Sequence, residues 1–191
     1  IFVYTSFNRE FTNQLKELGV PFVVANRIPD EFGASWVDWD LAEVFDSILG
    51  ELVAGGAHDV ALHIPVPSRA RYTFDLIRDD FVRAKKLYQL SNPMLDAYEI
   101  KDSSDPMEYA SFLLAQPRFP EAVISWGPAD ELVGYLQFHG KIVGRDYKLV
   151  TTYYAHPEVK GVWTLEGLDT GKLGKAIWRT FKRVRNAPFG N

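Results

Sequence analysis

The sequence predicts an α/β fold organised around a mainly parallel sheet. Short apolar runs rich in Val, Ile, Phe and Tyr alternate with amphipathic stretches of helical period. Single helical stretches separate most of these runs, which is the pattern of βαβ units. Apolar residues make up 47% of the 191 positions and charged residues 24%, enough apolar surface for a core and too balanced for a disordered chain. The length admits one large domain or two small ones.

Taken in order, Ile1 to Thr5 reads as a buried-type strand. Asn8 can cap a helix with Phe11, Leu15 and Leu18 on one face, and Gly19 suits its C′ position. Val20 to Ala25 is a second strand, Asn26 to Phe32 a turn-rich loop and Ser35 to Asp38 a short strand. Asp40 then opens the clearest helix, with Leu41, Val44, Phe45, Ile48, Leu49 and Leu52 at helical spacing. Glu43 three residues on is close to a capping box, and Gly55-Gly56 ends the helix. A strand over Asp59–Ile64 comes after it, closed by Pro65 to Pro67. A helix over Ala70–Leu87 comes next, with Phe74, Ile77, Phe81 and Ala84 apolar. The remaining expectations are strands over Asp96–Ile100, Ala122–Ser125 and Tyr147–Thr151, and helices over Pro106–Leu114 and Ala129–Phe138. A last helix over Thr170–Val184 should bury Leu173, Ile177, Phe181 and Val184. In a parallel sheet, ligands sit beyond the carboxyl ends of the strands. The loops to inspect are therefore Asp38–Asp40, Pro65–Thr73, Asp102–Asp105, Trp126–Asp130 and Thr152–Pro157.

Several chemistries are missing. With no cysteine there is no disulfide scaffold and no thiolate-ligated metal. A net charge of −4 does not suit a general nucleic-acid binder, which carries a basic stripe. The one basic cluster, Lys172, Lys175, Arg179, Lys182, Arg183 and Arg185, reads as a solvated helix face near a helix C-terminus. No apolar run reaches the roughly 18 residues of a membrane span. Phosphate-loop, dinucleotide, zinc-protease and nucleophile-elbow motifs do not occur. His58, His63, His139 and His156 show no metal-ligand spacing, and His63 inside a strand reads as a hydrogen-bonded core histidine. No metal, cofactor or catalytic residue is expected.

The order of short motifs resembles lactose-repressor (LacI/GalR) family regulators. Gly19 to Arg27 resembles their "GIPVVxxDR" segment, and Trp36 to Asp40 resembles "VxVDN". Leu49 to Ile64, with Gly56 to Ala61 in the middle, resembles "L...GHxxIAfI". Ala122 to Gly134 resembles "AIxxxnDelAlG", Gly140 to Val150 resembles "GlrVPeDvsVVG", and Val162 to Leu165 resembles "LTTV". Six pieces in order cover nearly the whole chain. The resemblance implies an effector-binding core similar to periplasmic sugar-binding proteins: two doubly wound parallel-sheet lobes with the ligand in the cleft. Residues 1–56 and 162–185 would form the N-terminal lobe and residues 57–161 the C-terminal lobe. Ile1 to Thr5 would match the third strand of the N-terminal lobe, which is therefore expected to be incomplete. The implied protein is a cytoplasmic, homodimeric transcriptional repressor, not an enzyme. It would bind a carbohydrate-like effector and contact operator DNA through a helix-turn-helix headpiece absent from these residues. Effector binding would shift the population of DNA-binding geometries. A solute-binding protein of a sugar transporter shares the fold and is the alternative.

The resemblance also implies ligand residues. Asp38 matches the aspartate of "VDN", whose carboxylate can accept two sugar hydroxyls; its other reading is a cap for the helix starting at Asp40. Arg71 and Thr73 lie where the loop after the first C-lobe strand contacts ligand. Arg78 stands near the family's cleft arginine, three residues before Phe81 rather than four. Each arginine is otherwise a surface charge. Asp130 matches the "nD" aspartate if one residue of helix is deleted, with Ala129 where asparagine is common; counting back from Gly140 instead puts Ser125-Trp126 there. Tyr153 replaces the first aspartate of "GxDD" and offers a donor, an acceptor and a stacking face instead. Ser103-Ser104 occupies a loop where some members place a stacking aromatic. Trp126 or Trp39 could supply that stacking, or could belong to the core.

Overall fold

The computed structural model describes residues 2–4, 9–25, 27–28, 32–64, 71–90, 105–156, 158–165 and 170–186. The expected strand over Asp96–Ile100, the cap Asn8, Ser103-Ser104 and the turn Pro65–Pro67 lie outside them. The chain divides into two compact units, Ile1–Asp40 with Gly167–Asn191, and Leu41–Glu166.

In the first unit, β1 (Phe2–Tyr4) and β2 (Phe22–Val24) pair in parallel, Phe2 opposite Phe22. They are joined by α1 (Arg9–Glu17), completing a βαβ turn. Leu15, Phe22, Val24, Ile28 and Phe32 form the buried cluster here. As expected, Gly19 closes α1. It takes φ +64°, its N–H bonds the Lys16 carbonyl, and the next N–H, Val20, bonds Leu15, which is the Schellman closure. Leu18 departs from expectation. It lies past the end of α1 and is 74% exposed, so the apolar face stops at Leu15. Ser35–Asp38 makes only an isolated bridge, Val24 with Trp36, instead of a strand. The Asp38 carboxylate takes the N–H groups of Arg27 and Trp39, both at 2.8 Å. The final helix, α6 (Thr170–Asn186), packs on β2. Of its expected core face only Phe181 is buried; Leu173, Ile177 and Val184 are half-covered.

The second unit holds a four-stranded parallel sheet. Its strands are β3 (Val60–His63), β4 (Ala122–Pro128), β5 (Lys148–Tyr153) and β6 (Val162–Thr164), in that spatial order. Helices α2 (Leu41–Ala54) and α3 (Arg71–Leu87) pack on each other, with Phe45 and Phe81 rings 5.6 Å apart. Helices α4 (Pro106–Leu114) and α5 (Asp130–Phe138) pack on each other as a second layer. Because side chains alternate along a strand, Ala61, Val123 and Leu149 join the α4–α5 core with Tyr109, Leu113, Leu132 and Leu136. The intervening residues face the opposite way, and Trp126 there sits with its ring 5.3 Å from Phe45 of α2. Both faces are covered, so these strands read as continuous apolar runs, as buried parallel strands do. α4 starts where the sequence places it. Pro106 needs no N–H partner in the first turn, and the Asp105 carboxylate accepts the Met107 N–H.

Two placements differ from the expected lobes. Helix α2 groups with the second unit, where it packs on α3. Strand β6 does not leave the sheet: Leu149 pairs with Val162 and Thr151 with Thr164. The edge position beside β5 satisfies its backbone, which short sequence motifs do not report.

Candidate functional site

The carboxyl ends of β3, β4 and β5 bring the site together within the second unit. One register row near those ends is polar across the sheet. His63 lies opposite Ser125, Ser125 opposite Thr151, and Thr151 opposite Thr164. The preceding rows are mainly apolar, for example Leu62, Ile124, Val150 and Trp163. His63, Ser125 and Thr151 are buried, and buried polar groups must find partners. His63 Nδ1 and Ser125 Oγ share a hydrogen bond of 3.0 Å, and the imidazole stacks on Tyr109 at 4.8 Å. Burial pushes the His63 pKa down to about 4, so the ring is neutral at neutral pH. Expected as a hydrogen-bonded core histidine, it is one.

The hydroxyls of Thr151 and Ser125 both donate to the carbonyl of Gly127, at 2.8 and 3.5 Å. That carbonyl lies within an irregularity. Ser125 pairs with Thr151 but Pro128 pairs with Tyr153, so β4 spends one residue more than β5 over this stretch. Such bulges bend a strand and re-aim the chain beyond them. The re-aimed stretch here is Trp126 to Asp130, one of the loops singled out by sequence. The loop ends at Ala129, which starts α5 without a side-chain cap. Asp130, in the first turn, accepts the Ala155 N–H at 2.9 Å through Oδ1. Burial and the nearby Asp130 and Glu158 carboxylates raise the Tyr154 hydroxyl above its ordinary pKa.

The structure therefore brings together Trp126, Asp130 and the backbone of Tyr153. Arg71 and Thr73 fall in the first turn of α3, on the chain leaving β3; their side chains lie outside the described set. Arg78 stands on the second turn of α3, forked between Asp75 at 3.3 Å and Asp79 at 3.0 Å on the same helix. Asp38 belongs to the first unit and is half-buried, each carboxylate oxygen already holding one backbone N–H. Sequence named Ser125 only as an alternative position for the "nD" pair and did not single out Thr151. Their signal was a hydroxyl following each apolar run, which has meaning only once the strands are in register.

This geometry has parallels among solved structures. A LacI-type transcriptional regulator from Bacillus cereus subsp. cytotoxis aligns over 96% of this chain and 67% of its own, with a TM-score of 0.69 and 20% identity. A LacI-family regulator from Enterococcus faecium, solved with bound ribose, aligns over 97% of this chain and 71% of its own at a TM-score of 0.70 and 18% identity. The chain has the LacI-regulator fold. A third LacI-family regulator, from Weissella paramesenteroides with bound glucose, aligns over 95% of this chain and 68% of its own at a TM-score of 0.68 and 17% identity. The LacI-type fold is periplasmic-binding-protein-like, and the α/β class with parallel sheets expected from sequence is the one observed. This chain spans about two thirds of those neighbours' length. No protein-family model and no curated protein matches the sequence. Among the described residues no helix is long and apolar enough to cross a membrane.

Proposed function

We propose that this chain is the sensory core of a LacI-type bacterial transcriptional regulator. In this reading it binds a small carbohydrate-like effector and passes that event to an N-terminal helix-turn-helix headpiece outside these residues. The regulator would act in the cytoplasm as a homodimer on operator DNA, without enzymatic turnover. The observation that carries the proposal is the fold match over nearly the whole chain to regulators solved with ribose and with glucose. The site chemistry supports it. Trp126 and Asp130 follow one another along the β4 exit, Asp130 has a second carboxylate oxygen beside the one that takes the Ala155 N–H, and the backbone of Tyr153 pairs with Pro128 there. Carboxylates and aromatic faces are what a polyhydroxylated ring needs for orientation and burial.

The mechanism is linkage. A ligand shifts a two-state equilibrium only by its difference in affinity for the two states. The test is thermal unfolding against pentoses, hexoses and nucleosides, followed by calorimetry on any hit. Stabilisation growing with the logarithm of ligand concentration supports the proposal. A flat response to every sugar overturns it.

A further inference from the structure

We propose that Thr151 is a positioning residue that locks the ligand-facing loop of β4 onto β5. The inference deepens the sugar-binding reading and rests on it only for its consequence in affinity. Two contacts link the exits of β4 and β5, and in both the donor comes from the β5 side and the acceptor from the β4 side. Thr151 of β5 donates its hydroxyl to Gly127 on β4 at 2.8 Å. Asp130, at the end of the β4 exit, accepts the amide of Ala155 on the β5 exit at 2.9 Å. Between the two lies the register shift that frees β4 from regular pairing.

A bulge removes ladder hydrogen bonds and would leave the Gly127 carbonyl to drift. The Thr151 hydroxyl takes over that bond from a fully buried side chain, whose β-branched Cβ restricts its rotamer. The second contact then fixes Asp130 relative to β5. Together they close the loop and leave the second Asp130 oxygen outside this pair of contacts, while Trp126 rests against Phe45 on the other face of β4. Holding recognition groups in place before binding lowers the ordering cost of association. Thr151 thus acts through Gly127 and Asp130, with no ligand contact of its own required.

Amide hydrogen exchange reads this directly. In Thr151→Val, which keeps the shape and loses the hydroxyl, the Ala155 amide should exchange roughly fivefold faster, the size expected for one lost net hydrogen bond. Leu149 and Val150 amides should stay protected. Thr151→Ser should restore Ala155. Ser125→Ala serves as the comparison, because it removes the partner of His63 and only the longer contact to Gly127. It should lower global stability with a smaller effect on Ala155. Ribose and glucose titrations add the affinity readout: Thr151→Val should weaken binding about tenfold and Thr151→Ser should recover it. An Ala155 amide unmoved in Thr151→Val, or one that merely tracks global stability in both variants, overturns the positioning role. If the unaltered protein binds none of the pentoses and hexoses of the thermal-unfolding test, the sugar-binding reading fails, while the exchange result still decides the role of Thr151.

Discussion

Mild acidification should destabilise this protein through His63 before its carboxylates matter. The imidazole is 1% exposed, stacked on Tyr109 and hydrogen-bonded to Ser125. Its folded pKa is about 4 against 6.5 in the ordinary state. Below pH 6.5 the unfolded chain takes up a proton that the native state refuses, so stability falls as pH falls. The loss is complete near pH 4, where the native state protonates as well. At 1.36 kcal/mol per pKa unit, the difference corresponds to about 3 kcal/mol. That is a large fraction of the stability of a typical domain. Urea unfolding followed by circular dichroism at pH 7.5, 6.5, 5.5 and 4.5 measures it. His63→Gln keeps a polar partner for Ser125 and cannot titrate, so its stability should change far less over the same range. The other three histidines are exposed. Parallel losses in the two proteins between pH 6.5 and 4.5 would refute the assignment to His63. Glu121 is held below the usual carboxylate range mainly by the His58 backbone N–H, and Asp146 mainly by Arg145. Their contributions disappear only at lower pH, as each titrates through its lowered value.

Further outcomes come from backbone geometry and from the site. Gly161 holds φ +88°, and a Cβ there would fall 2.6 Å from the Gly144 Cα; Gly161→Ala should cost about 2–5 kcal/mol in urea unfolding. Gln89 closes α3 at φ +54°, with the same pair of N–H bonds that Gly19 directs in α1. Gln89→Gly should therefore stabilise by about 0.5–1 kcal/mol, seen as a higher urea midpoint at unchanged slope. Asp130→Ala should weaken ribose or glucose binding at least about tenfold by calorimetry, since it removes both the Ala155 anchor and the free oxygen.

The sequence by itself determined the elements whose signals are local. The spacing of Leu41, Phe45, Ile48, Leu49 and Leu52 defined α2, and Gly19 and Gly56 marked helix ends they do close. The helix expected over Pro106–Leu114 is α4 to the residue, and the structure adds Asp105 as its cap. The alternation of such elements was enough for a parallel α/β fold, and the order of short motifs was enough for the LacI-type topology. Tertiary structure decided the rest. Leu18 carries the right residue for a core face, but the helix ends before it and leaves it in solvent. Val162 to Thr164 has the composition of a strand, yet only register against β5 shows which sheet it completes. The residues of the row His63, Ser125 and Thr151 lie far apart along the chain and have no local pattern. The row exists because parallel pairing aligns three strand ends at one level, and because buried hydroxyls must then find a carbonyl, here the one that the bulge in β4 releases.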